Sequence, residues 1–345
     1  MASLLGTPLP VIQAPMAGVQ GSVLAIAVSN AGGLGSLPGA LLTPEGLRDE
    51  IANIATHTSN AYNVNFFCHT PPKPDADREA RWRDLLAPYY RELDINPQAL
   101  QSGPGRAPFD HNTADVLAQF KPPVVSFHFG LPSKELLDRV KQWRPTIISS
   151  ATTVDEARWL EAQGVGAIIA QGIEAGGHRG MFLSDDLTTQ VGTFALVPQI
   201  VHAVSVPVIA AGGIADAAGV VAALALGAAA VQIGTAYLLC PEATTTPVHR
   251  EALVSSRAKH TALTNVFTGR PARGIVNRLI AELGPISAAA PAFPLATAAV
   301  VPLRSKAETQ GSGEFSPLWS GQNAGSCKNV PAAELTRELA ARLCT

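Results

Sequence analysis

Between Gln171 and Gly180 the chain reads QGIEAGGHRG, which sets one histidine, His178, among four glycines. An imidazole changes charge near neutral pH and can donate a proton, accept one or bind an anion. Glycine supplies no packing and costs backbone entropy. Several of them around such a group imply that the backbone must approach something closely. On this reading Gly172, Gly176, Gly177 and Gly180 let the chain lie flat against a bulky planar ligand. Gln171 meets a polar ring edge, and His178 stands beyond the glycines, facing substrate. A second imidazole, His128, lies between Phe127 and Phe129 and is either a second site group or a satisfied core histidine. Two further stretches, AAGGI (210–214) and QIGTAYL (232–238), carry Gly212, Gly213, Gly234 and Thr235. Backbone N–H groups freed by glycine suit phosphate oxygens; the plainer alternative is that these glycines only make tight turns. The stretch AGGLGSLPG (31–39) breaks GxGxxG at Pro38 and reads as the end of a helix, and GxxxxGK[ST], HExxH and GxSxG do not occur.

Such residues need elements to hold them. Short β-branched runs recur at 10–14, 34–37, 62–67, 123–129, 146–151, 167–171, 207–212 and 230–234, with amphipathic segments between most of them. Thr43 and Pro44 open one helix as N-cap and first residue. Thr153 and Glu156 open another as a capping box that Gly164 closes. Eight β–α alternations predict a (β/α)8 TIM barrel, with a doubly wound sheet as the alternative. Active sites of such barrels lie at the C-terminal ends of the strands, often with a phosphate on the loops after the last two. Met16, Asn65, His128, His178, Gly213 and the run Gln232, Ile233, Gly234, Thr235 all fall at such ends. The expected organisation is a barrel from residues 1–236 and 331–345, with an insertion at 70–112 and a smaller, mainly helical cap at 237–330. The last helix, PAAELTRELAARL, then returns to the barrel.

Composition narrows the class. Hydrophobic residues make up 47% and charged residues 15% of 345, as expected where strands are buried on both faces. The net charge of −2 gives nucleic acid or an anionic membrane nothing to bind. The 18-residue run AAGVVAALALGAAAVQIG predicts a buried helix followed by a strand rather than a membrane span. Cys68, Cys240, Cys327 and Cys344 show no paired spacing and read as reduced thiols, with no metal site. The start of the chain lacks a secretion signal. A cytoplasmic enzyme, monomeric or homodimeric, is the expectation.

The motifs QAPMAGV, AGGLGSL, NVNFF, QGIEAGGHRG, VIAAGGI and QIGTAYL, in that order over about residues 10–240, resemble the nitronate monooxygenases, and LWSGQ (318–322) fits the same pattern. The histidine in HFG (128–130) leans toward the bacterial class I members. The resemblance implies FMN over the barrel mouth, its phosphate on the loops after strands seven and eight. Met16, Asn65, Gln171, Gly176, Gly213, Gln232, Ile233, Gly234 and Thr235 would contact it, and His178 would be catalytic, with His128 beside it. It implies oxidation of an alkyl nitronate, propionate 3-nitronate in the usual case, by flavin and O2. The products are a carbonyl compound and nitrite, a flavin semiquinone forms on the way, and the role is detoxification. The alternative is an FMN-dependent NAD(P)H:quinone or enoyl reductase on the same fold. Both imidazoles are placed to donate to the nitronate, and either one could be partly cationic near neutral pH; toward a neutral nitroalkane His178 would act as general base.

Overall fold

A computed structural model describes residues 5–96 and 106–343. Eight parallel strands form one sheet: β1 (Val11–Gln13), β2 (Gly35–Pro38), β3 (Tyr62–Phe67), β4 (Val124–His128), β5 (Thr146–Ala151), β6 (Ala167–Gln171), β8 (Val208–Ala211) and β9 (Ala230–Ile233). Parallel bridging of Ile12 to Leu34 joins β1 to β2 and closes it into a barrel. Seven of the predicted runs contain one of these strands, and the run at 34–37 overlaps β2. Alternation divides the side chains. Ile12, Leu34, Ile148, Ile169 and Ile209 fill the barrel, while Val11, Val64, Ile168, Val208 and Ile233 pack outward under the helices.

The outer ring comprises α1 (Ser22–Asn30), α2 (Pro44–His57), α4 (His111–Phe120), α5 (Lys134–Lys141), α6 (Val154–Ala162), α7 (Thr193–Ala203) and α8 (Ala217–Ala225). The eighth place is taken by the late helix α12 (Ala332–Ala340), which packs on α1, α8 and β1. Tyr237, just past β9, is fully buried under it and its hydroxyl meets Thr336 Oγ1 at 2.9 Å. Thr43 caps α2 as expected. Thr153 caps α6, but Glu156 does not complete the box. Its carboxylate turns to the N–H and hydroxyl of Thr152 and to the N–H of Phe182, tying α6 to the loop that carries His178.

The rest of the chain covers the barrel mouth, and here the reading as helices and loops needs correction. Helices α9 (Pro247–Val254), α10 (Arg278–Leu283) and α11 (Thr297–Thr309) are joined by an antiparallel sheet of β10 (Thr261–Thr264), β11 (Ala272–Ile275) and β7 (Gly177–His178). Strand β7 belongs to the barrel loop after β6. The 70–112 insertion is not separate either. Its helix α3 (Ala76–Glu92) buries Trp82, Leu86, Tyr89 and Tyr90 with Phe267, Leu279, Leu303 and Phe315, in a core distinct from that of the barrel. Residues 97–105 of that insertion, and Cys344, lie outside the described residues.

Candidate active site

One cavity of about 190 Å³ opens at the C-terminal ends of the strands, against the roughly 10–15 Å³ that a single water needs. Met16, Asn65, His128, Gln171, Gly176, His178, Gly213, Gln232, Gly234 and Thr235 all line it. Ile233 does not, since its side chain faces outward into the helix layer. The odd–even alternation of a strand makes that necessary once Gln232 points in.

The loop after β6 is held by the protein itself. A Cβ on Gly172 would lie 1.9 Å from Thr193 Oγ1, one on Gly176 2.5 Å from Gly321 N, and one on Gly180 2.9 Å from His128 Cε1. These glycines admit the chain's own neighbours rather than a flat ligand. Only Gly177, at φ +72°, has open space where a Cβ would be. Gln171 likewise turns to the backbone: Nε2 donates to His178 O at 2.9 Å and Oε1 accepts from Gly180 N at 2.7 Å. Beneath it Arg179, fully buried, donates to the carbonyls of Gln171 and Gly172 and to Gln190 Oε1. From the cap side, Ala272 and Arg273 pair with His178 and Gly177.

His128 supports this loop as well. A carbonyl only accepts, so the contact of Nε2 with His178 O at 3.2 Å requires Nε2–H, and Nδ1 then accepts from the Ser150 hydroxyl at 3.0 Å. Both ring nitrogens thus have partners in the protein, and through Nε2 His128 holds the loop that carries His178 while its ring lines the cavity. The His178 ring differs. Nε2 lies 2.9 Å from Thr268 Oγ1, and Nδ1 has no partner among the described residues, so Nδ1 is the atom left for a ligand. Phe67, Phe293 and Trp319 surround the ring at centroid distances of 6.1, 5.3 and 5.6 Å.

The expectation of partly cationic imidazoles does not hold. Burial lowers the His128 pKa to about 3, reinforced by Arg270 and Arg179. Burial also lowers His178 well below its ordinary value, with Arg106, His128, Arg270 and His69 adding repulsion. Burial thus favours the neutral form of both rings. Positive charge at the cavity comes instead from Arg106, whose pKa burial lowers only to about 10.

The opposite wall is less self-contained. Gln232 Oε1 is buried without any hydrogen-bond partner. Gly212 (φ +125°) and Gly213 (φ +71°) turn the loop after β8, Gly234 adjoins Met16 Sδ, and Thr235 begins a 3₁₀ turn. Asn65 uses its amide N–H on Ser126, which leaves Oδ1 toward the cavity. A buried acceptor in want of a donor, beside positive-φ glycines, fits a ligand with ring N–H and phosphate groups. No cluster of residues suited to a metal ion occurs among the described residues, and no described helix is long and apolar enough to cross a membrane.

Sequence reasoning missed Thr268, Arg106, Phe67 and Phe293. Thr268 and Phe293 sit in irregular cap segments whose folding back depends on long-range packing. Arg106 ends the insertion, where its type alone gave no signal.

The family model for nitronate monooxygenase matches residues 1–342. The chain is 42% identical over 339 residues to a nitronate monooxygenase of Paraburkholderia phytofirmans, covering 97% of this chain and 92% of that one. It is 42% identical over 342 residues to one of Pseudomonas aeruginosa, covering 99% and 97%. Among solved structures, a nitroalkane oxidase from Streptomyces ansochromogenes superposes with TM-score 0.90 at 38% identity, covering 99% of this chain and 97% of that one. FabK from Thermotoga maritima superposes with TM-score 0.73 at 28% identity, covering 99% and 95%.

Proposed function

The chain belongs to the nitronate monooxygenase family, and from that premise we propose that it binds FMN and oxidises small alkyl nitronates with O2 to a carbonyl compound and nitrite, as a detoxifying activity. The observation that carries this is the pairing of the two walls. One holds a single imidazole with a free Nδ1, and the other holds an unpartnered buried acceptor and backbone shaped for a phosphate.

FMN would lie between Met16 and the loops at Gly213 and at Gly234 to Thr235, with Gln232 Oε1 accepting from its ring edge and Asn65 beside it. Bound there, FMN would supply the redox chemistry between the nitronate and O2. The remaining work falls to this chain. Phe67, Phe293 and Trp319 exclude water around His178, which strengthens each polar contact inside. The Thr268 hydroxyl has one proton. Directed at Arg270 O, 3.3 Å away, it accepts Nε2–H and leaves Nδ1 a base; directed at Nε2, it leaves Nδ1–H a donor.

The lowered proton affinity of His178 suits the ring to donate from Nδ1 rather than to act as a base. A base serves best with a pKa near the working pH, and a ring held well below that range is poorly matched to removing a proton from carbon. A substrate that arrives already ionised needs no such base. It needs a donor to its oxygens, which Nδ1–H provides, and the anion in turn raises the proton affinity of the ring.

Purified protein mixed anaerobically with propionate 3-nitronate tests the reading. The oxidised flavin spectrum should disappear, and admission of O2 should restore it and release nitrite. A spectrum untouched by nitronate but bleached by NADH would replace this reading with the reductase alternative.

A further inference from the structure

The arginines of this protein are satisfied in different ways. Arg278, Arg304 and Arg257 pair with Glu92, Glu308 and Glu314. Arg179 and Arg273 are buried and donate to carbonyl oxygens or hydroxyls. Arg106 has neither kind of environment. It lines the cavity, donates from Nη1 to Thr297 Oγ1 at 3.1 Å, and lies with Cζ 6.0 Å from the Phe293 ring centroid. It forms no ion pair among the described residues, and the sequence of the adjoining stretch 97–105, PQALQSGPG, contains no acidic residue. The charged and titratable groups with which it interacts are Arg304, His69 and His178, none of them an anion. A cation removed from water without a counter-ion is costly. The cavity is the open side from which one can come.

We propose that Arg106 selects the charge of the substrate: its guanidinium binds the negative group of an anionic substrate and so favours a nitronate over the neutral nitroalkane from which it forms. This rests on the cavity being a nitronate site. The placement suits the task. Arg106 and His178 face the same space, across the Phe293 ring that contacts both. A small anion between them meets a fixed positive charge on one side and the Nδ1 atom on the other. Arg106 is then a binding and specificity residue, while His178 meets the reacting group.

Arg106→Gln and Arg106→Lys, both with flavin content measured, decide the matter in two arms. In the first, kcat/KM is compared for ethyl nitronate and for nitroethane. Truncating one partner of a desolvated charge pair costs enough that the nitronate-to-nitroalkane ratio should fall about 30-fold or more in Arg106→Gln. KM should carry the loss, and Arg106→Lys should recover part of it. In the second, the affinity for propionate, an unreactive anion, is read from perturbation of the flavin spectrum and should weaken by a similar factor. Equal losses on both substrates with unchanged propionate affinity would mean that Arg106 is structural and would overturn the proposal. Wild-type protein that turns over no nitronate would overturn the reaction instead, and the propionate affinity of the variants would still decide the role of Arg106.

Discussion

The two walls of the cavity are built on opposite principles. In the loop after β6, almost every polar group is satisfied by the protein: Gln171, Arg179 and His128 each bond its backbone, and three of its glycines are filled by neighbouring chain. In the loops after β8 and β9, Gln232 Oε1 is buried and has no partner, although Gly212 and Gly213 pack against Thr193 and Glu174. One wall is complete without a ligand, and the other lacks a donor. The difference teaches where precision is needed. A group that meets the reacting atoms must be held to fractions of an ångström before substrate arrives. A cofactor cradle can leave its last hydrogen bonds for the cofactor to make.

The sharpest way to break this contrast is at His178. His178→Ala should keep bound flavin and lower kcat by about 10²–10³-fold, the usual range for loss of one positioned hydrogen-bond donor. Retained turnover would remove it from the chemistry. Next comes a crossed pair of variants. Arg179→Met strips hydrogen bonds from buried carbonyls of Gln171 and Gly172 and should cost about 3 kcal/mol or more in urea unfolding of the flavin-free protein. Gln232→Leu removes an acceptor that has no partner, so it should leave that stability nearly unchanged and weaken flavin binding about tenfold. If the two effects exchanged places, the walls would not differ as described.

A change of pH does not test the difference between the two walls directly, but burial of imidazoles gives it a separate effect. His128 stays neutral in the folded state down to about pH 3, whereas an unfolded imidazole takes up its proton near pH 6.5. The unfolded chain therefore binds the extra proton below pH 6.5. Stability falls as pH drops from about 6.5 toward 3, by up to roughly 1.4 kcal/mol per pH unit for each such group, and does not change above that window. His249, lowered to about 4 by burial, adds to the same slope. Replacing His128 with Asn should flatten the decline of the urea midpoint between pH 6 and 4 by about one group's share.

What the sequence by itself determined was whatever depends on neighbours along the chain. Eight buried strands, the caps at Thr43 and Thr153, and the order of loops at the strand ends follow from local periodicity and turn chemistry, and they suffice to place His178, Gly213 and Gln232 at one mouth. Tertiary structure decided which side chains remain available there. Glu156 leaves its capping box, Gln171 and His128 bond the loop that carries His178 while lining the cavity, and Ile233 faces away, because each answers to groups far along the chain or across the sheet. The same holds for the pairing of His178 with Ala272, for Thr268 on the imidazole and for Arg106 in the cavity wall. Residue type and spacing say what a side chain is able to do. Which hydrogen bonds are already spent, and how much water is excluded, depends on contacts that no local pattern records.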